Sequence, residues 1–232
     1  IIFNEIYKFL LYFNSKNIFH PLMLNKFSNL KPLNKNRLFF NKNGTYSAKG
    51  FFDNQKIKIY SPPDKRTINL RLFLETTECK KYFPRVIYHD EEYIAEEWID
   101  SPNLSECDKQ NSCDDLILEF IFDLQKLNYK DIVFDYLYWI FKRINKSDDK
   151  LLREIRNLKI PPKINHNDLN PDNILLTSKG IKIVDNEFLG NNNGWVLNLK
   201  NSFLKNDTKF YENYINTKTI NELWKIRTLW KK

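Results

Sequence analysis

Glycine is scarce, with five residues in a chain of 232. That excludes collagen-like repeats and Gly-rich linker architectures. Cysteine is scarce too. The three cysteines, Cys79, Cys107 and Cys113, cannot all pair within the chain, and none sits in a C-x-x-C spacing. A disulfide scaffold and a structural zinc site are therefore not expected, and a reducing, cytoplasmic setting is. Three histidines leave little room for a His-built metal site. No uncharged apolar run approaches the length of about 18 residues that a membrane span requires. The apolar stretch at residues 6–13 is interrupted by Lys8 and lacks a small-residue cleavage site, so no signal peptide is expected. The chain opens on Ile1 rather than Met, which places the expected natural start upstream.

Bulky apolar material is plentiful. With 18 Phe, 12 Tyr and 42% hydrophobic residues, the chain can bury a substantial core and does not read as disordered. Its length fits one large domain or two small lobes. The net charge is +8, from 37 basic and 29 acidic residues. These charges are spread along the chain, with no block of five or six of one sign. That pattern reads as a solvated mixed surface and argues against a nucleic-acid-binding domain. It leaves open an attraction for phosphate-bearing ligands and contact with an anionic membrane surface. Oligomeric state is not legible.

Residues 1–35 read as an N-terminal extension, with a short helix over 5–12 and breaks at Pro21 and Pro32. From Arg37 the texture changes. Residues 37–41, 46–52 and 56–60 read as three strands of a meander, with turns at Asn43-Gly44 and at 53–55. The third strand alternates, with Ile57 and Ile59 on one face and Lys56, Lys58 and Tyr60 on the other. Spacing of Leu70, Phe73, Leu74 and Cys79 predicts a helix over 67–82, ended by Phe83-Pro84. Two more strands, 85–89 and 93–98, flank a turn at 90–92. Residues 101–113 read as a polar loop.

The chain then turns helical. Leu116, Phe120, Leu124 and Leu127 form the expected apolar stripe of a helix over 115–127. Residues 132–144 and 150–158 read as further helices, and 210–215 and 220–230 as terminal ones. A sheet-rich part followed by a helical part predicts an α+β, two-lobed architecture. The expected division is 1–35 extension, 36–100 sheet lobe and 101–232 helical lobe.

The chemistry concentrates in residues 164–190. His166, Asp168 and Asn173 lie on one short loop. Two strand-like pieces, 173–177 and 181–184, flank Ser178-Lys179-Gly180 and form a hairpin that brings Asn173 and Asp185 to the same end. An amide oxygen and a carboxylate are hard ligands that suit Mg²⁺ shared with phosphate oxygens. Asp168 would stand nearby to orient a hydroxyl and accept its proton. Those are the parts of a phosphoryl-transfer site.

His166-Asn-Asp168-Leu-Asn-Pro-Asp-Asn173, followed twelve residues later by Asp185, resembles the H-x-D-x-x-x-x-N loop and metal-binding Asp of the protein-kinase-like superfamily. The Leu-x-Pro-x-Asn-Ile-Leu form and the Asp185-Asn-Glu187 triplet are similar to its aminoglycoside phosphotransferase and choline kinase branch. The resemblance implies a protein-kinase-like fold, with a small antiparallel-sheet N-lobe and a mainly helical C-lobe. It implies that Asp168 is the catalytic base, that His166 shapes the loop, and that Asn173 and Asp185 bind Mg²⁺. It implies ATP as phosphate donor, with Lys58 on its non-transferred phosphates and Lys56 as the rival. The backbone of Glu97, Trp98 and Ile99 would hold adenine. The acceptor would be a small hydroxyl-bearing molecule: a sugar, an amino alcohol or a cell-envelope saccharide.

The sequence also departs from the family pattern. Asn167 stands where protein kinases often carry Arg. No G-x-G-x-x-G occurs over 41–48, and Asn198 is the nearest match to an Asp that braces the loop. The helix after the third strand has no acid between Lys65 and Leu74, so either Glu75 or Glu78 pairs with Lys58 or the pair is missing and Lys58 is positioned otherwise. Two alternatives follow from these departures. One is a catalytically weak or inactive nucleotide-binding module. The other is a protein kinase, against which the missing Arg and the absence of A-P-E both argue.

Overall fold

A computed structural model describes residues 31–32, 38–40, 46–107, 113–134 and 162–192. The expected helices at 5–12, 150–158, 210–215 and 220–230, the Asn43-Gly44 turn and Asn198 lie outside those residues, as does most of 132–144.

The first part is one antiparallel sheet. Strands β3 (Tyr46–Phe52) and β4 (Gln55–Ser61) form its central hairpin, with Lys49 opposite Lys58. Asp53 and Asn54 both take positive φ, 46° and 63°, as a tight hairpin turn requires. On the far side of β3 lie β1 (Lys31–Pro32) and β2 (Leu38–Phe40). On the near side of β4 come β6 (Ile94–Glu97) and then β5 (Val86–His89). The 90–92 turn is held by Asp90, whose Oδ1 accepts from the Glu92 and Tyr93 amides.

Between β4 and β5 runs helix α1, Arg66–Glu75. It is shorter than the periodicity predicts. Thr76 and Thr77 turn their hydroxyls back onto the Phe73 and Leu74 carbonyls, and the Thr77 hydroxyl then caps a separate 3-10 helix, Glu78–Tyr82. Such local bonds compete with helix continuation. Leu70 and Leu74 of α1 join the large apolar core built mainly by later residues, whereas Ile57, Ile59, Tyr93 and Ala95 form a separate cluster on the opposite face of the sheet.

Helix α2, Asp114–Lys126, buries Ile117, Phe120, Ile121 and Leu124. The expected stripe is thus rotated: Leu116 is 39% exposed, and Ile117 takes its place. Strand β7 (Lys163–Asn165) leads into the 166–173 loop, and β8 (Ile174–Thr177) and β9 (Gly180–Ile183) form the expected hairpin. Gly190–Asn192 is strand β10, paired antiparallel with β7. No described helix is long and apolar enough to cross a membrane.

Candidate active site

The 166–173 loop is held in shape by neutral polar side chains, His166, Asn167, Asn170 and Asn173, each bonded to backbone. His166 is buried, with Nε2 2.9 Å from the Val184 carbonyl oxygen. Burial drives its pKa down to about 4, so it is neutral at physiological pH. Asn167 adopts φ 62°, a left-handed conformation that Asn tolerates better than most residues. The turn it makes lets the Asp168 amide donate to the His166 carbonyl at 2.8 Å. Its own Nδ2 donates to the Phe188 carbonyl at 2.6 Å. The position where protein kinases often carry Arg thus ties the loop to the segment after β9.

Asn170 caps a 3-10 turn, Pro171–Asn173, by accepting from the Asp172 amide. Asn173 Nδ2 donates to the Asp168 backbone carbonyl at 2.8 Å and to its carboxylate Oδ2 at 3.3 Å. With the nitrogen so engaged, the Asn173 side-chain oxygen is the atom that could take a cation. The Val184 amide donates to the Asn173 carbonyl, which brings Asp185 alongside the loop. Asp185 takes φ 63°, turning the chain into the 3-10 helix Asn186–Phe188.

Lys58 reaches this end of the hairpin. Its Nζ forms an ion pair with Asp185 Oδ1, and only 14% of its side chain is exposed. Burial pulls its pKa down, while the charges of Glu187 and Glu96 oppose that shift. Neither Glu75 nor Glu78 pairs with it. Glu75 instead receives the Arg71 guanidinium at 2.5 Å, and Glu78 is exposed. The acid beside Lys58 is Glu96, its Cα partner on β6 and buried at 2% exposure. Sequence reasoning missed Glu96, although strand alternation places it on the Lys58 face. Lys56, the rival, is held by Asp100 at 2.7 Å and lies 5.2 Å from the Trp98 ring centre.

Lys58, Glu96, Trp98, Ile99, Asn173 and Asp185 share one cavity of about 510 Å³. That volume lies within the usual range for small-molecule sites. Asp168 and His166 do not line it, and Asp168 meets it through the Asn173 amide. The Glu97 and Trp98 amides are already bonded, to the Arg85 and Lys56 carbonyls, both at 2.9 Å. Of the three N–H groups on the backbone expected to hold a base, Ile99's remains open. Above Trp98, Lys49 Nζ lies 4.3 Å from the ring centre.

No protein-family model matches the chain, and no curated protein matches it by sequence. Solved structures do. The choline kinase LicA from Streptococcus pneumoniae aligns over 90% of this chain and 89% of its own, with TM-score 0.57 and 12% identity. A Plasmodium vivax ethanolamine kinase aligns over 93% and 81%, with TM-score 0.56 and 16% identity. The streptomycin–ATP complex of the aminoglycoside phosphotransferase APH(2")-IIa aligns over 98% and 90%, with TM-score 0.54 and 15% identity. The chain therefore has the two-lobed, α+β protein-kinase-like fold, in the form shared by aminoglycoside phosphotransferases and choline and ethanolamine kinases.

Proposed function

We propose that this protein is an ATP-dependent phosphotransferase that moves the γ-phosphate to a hydroxyl of a small molecule. The observation that carries this reading is the meeting of Lys58, Asn173 and Asp185 on one cavity, with Asp168 hydrogen-bonded to Asn173. The structural relatives support it, being kinases of small molecules.

The donor set fits Mg²⁺. Asn173 and Asp185 offer oxygen only, and among the described residues no cluster of three or more His, Cys, Asp or Glu competes as a metal site. Mg²⁺ usually takes one or two carboxylates and fills its remaining positions with water and phosphate oxygens. When bound, it supplies positive charge to the phosphate oxygens. Lys58 neutralises the non-transferred phosphates from the sheet side. Asp168 orients the acceptor hydroxyl and accepts its proton as the hydroxyl attacks. His166, neutral and bonded to Val184, holds the loop against the hairpin. The Ile99 amide and the Glu97–Ile99 backbone receive the base.

The proposed division is a nucleotide-binding N-lobe over 36–100 and a helical C-lobe, carrying the catalytic loop, over 101–232. The three free cysteines support a reducing, cytoplasmic setting. A second reading, nucleotide binding without turnover, is favoured by the lack of a helix acid on Lys58, since Glu75 is engaged by Arg71 and Glu78 is exposed.

The deciding experiment is Mg²⁺-dependent ADP formation against pooled sugars, amino alcohols, aminoglycosides and glycan fragments. Acceptor-dependent ADP from one pool supports the phosphotransferase and, by subdivision, names its acceptor class. Mg-ATP binding with no ADP from any pool supports the second reading.

A further inference from the structure

Helix α1 meets the segment after β9 at two places. The first is a buried polar chain. Arg71, fully buried, donates through Nε to Glu96 Oε1 at 2.6 Å, through Nη1 to Glu75 at 2.5 Å, and through Nη2 to the Pro84 carbonyl. Glu96 in turn accepts Asn186 Nδ2 on both carboxylate oxygens, at 3.1 and 3.0 Å. The second place is one turn earlier, where Thr67 Oγ1 donates to the Leu189 carbonyl at 2.9 Å. Asn186 and Leu189 bracket the segment that begins at Asp185.

We propose that Arg71 is a positioning residue for Asp185, acting through Glu96 and Asn186, with Thr67 as the second tie. This rests on the reading of Asp185 as the cation-binding carboxylate. Arg71 does not line the cavity, so its influence on the site passes through the residues it holds. Helix α1 contributes a cation where a helix acid was expected, and the acid sits on β6. Glu96 is therefore placed between two cations, Arg71 on the helix and Lys58 on the neighbouring strand. A guanidinium suits the role because its planar fork serves three acceptors at once, which an ammonium on a flexible stem does not reproduce. Asp185 itself has a left-handed backbone and a half-exposed side chain. Its carboxylate is held on one side by the Lys58 ion pair, and its backbone is held by the neighbours that Glu96 and Thr67 tie down.

The test uses Arg71→Lys and Thr67→Val, neither of which alters a cavity-lining residue. Nucleotide binding is followed by fluorescence of a labelled ATP, first without metal and then across a Mg²⁺ titration. Residues that support a metal ligand typically change metal affinity tenfold or more, so Arg71→Lys should raise the half-saturating Mg²⁺ about tenfold. Loss of one hydrogen bond should raise it about threefold in Thr67→Val. Metal-free binding should stay within about twofold of wild type, because neither variant replaces Lys58 or a residue of the base site. Equal weakening of metal-free and metal-loaded binding, or an unchanged Mg²⁺ requirement in folded variants, overturns the proposal. If Arg71→Lys fails to fold, Thr67→Val alone decides between the same outcomes. A wild-type protein whose nucleotide binding ignores Mg²⁺ would instead overturn the reading of Asp185 as a cation ligand.

Discussion

Two polar assemblies meet at Asp185-Asn186, and they are built in opposite ways. The 166–173 loop is local, and the side chains that hold it are neutral. Its amides and imidazole bond to backbone carbonyls 5, 18 and 21 residues away. The Arg71–Glu96–Asn186 chain spans separations of 25 and 90 residues and buries two formal charges. Neutral donors matched to carbonyls tolerate burial well, because each removes one unmet group. A buried ion pair is different, since removing one partner leaves the other uncompensated in a low-dielectric interior. The loop therefore carries chemistry at modest structural risk, while the charged chain carries alignment at high structural risk.

The two assemblies should separate under mutation. Asp185→Asn, which keeps an oxygen for Lys58 and tolerates the left-handed backbone, should cut turnover about a thousandfold, as loss of several kcal/mol of cation-borne stabilisation requires, with the thermal midpoint little changed. Activity and melting measured on one preparation would break the distinction if stability fell as well. Arg71→Met should do the reverse in emphasis, destabilising the fold by about 3–5 kcal/mol by stranding Glu96. Denaturant unfolding checks this. A loss below about 1 kcal/mol would mean that Lys58 compensates Glu96 unaided.

Next in size is a pH effect. The unfolded His166 titrates near its ordinary value of 6.5, and the folded one near 4. Below 6.5 the unfolded state therefore binds more protons than the folded state. The neutral, buried imidazole contributes stability that is fully present above pH 6.5 and lost as pH falls through 4. The amount is about 3 kcal/mol. His166→Gln should flatten the stability-versus-pH curve by that amount over this window. Smallest is Asp64→Ala, which removes the carboxylate that accepts from the Phe134 and Arg66 amides, at 2.9 and 3.0 Å. It should cost about 1–2 kcal/mol by calorimetry while leaving Mg²⁺-dependent nucleotide binding unchanged.

The local assembly was the legible one. Loop and hairpin spacing place Asn173 beside the residue preceding Asp185, and alternation in β4 separates Lys58 from Ile57 and Ile59. The charged chain was not legible. An Arg on a helix reads as exposed unless a partner is known, and Arg71's partner Glu96 lies 25 residues on. In α2, apolar residues at 116, 117, 118, 120, 121, 122 and 124 support more than one stripe, and packing selects 117, 120, 121 and 124. Strand β10 has no apolar signal in Gly-Asn-Asn. It forms by pairing with β7, and Asn191 is anchored by donating to the Tyr129 and Asp131 carbonyls at 2.7 and 3.0 Å.

The most direct test of the central claim compares wild type with Asp168→Ala, measuring acceptor-dependent ADP formation and Mg-ATP affinity together. A positioned base contributes about 10²–10⁴ in rate. The variant should lose turnover by that factor while its Mg-ATP affinity stays within about threefold of wild type. Phosphate transfer at the wild-type rate by a folded Asp168→Ala protein would contradict the assignment of the loop.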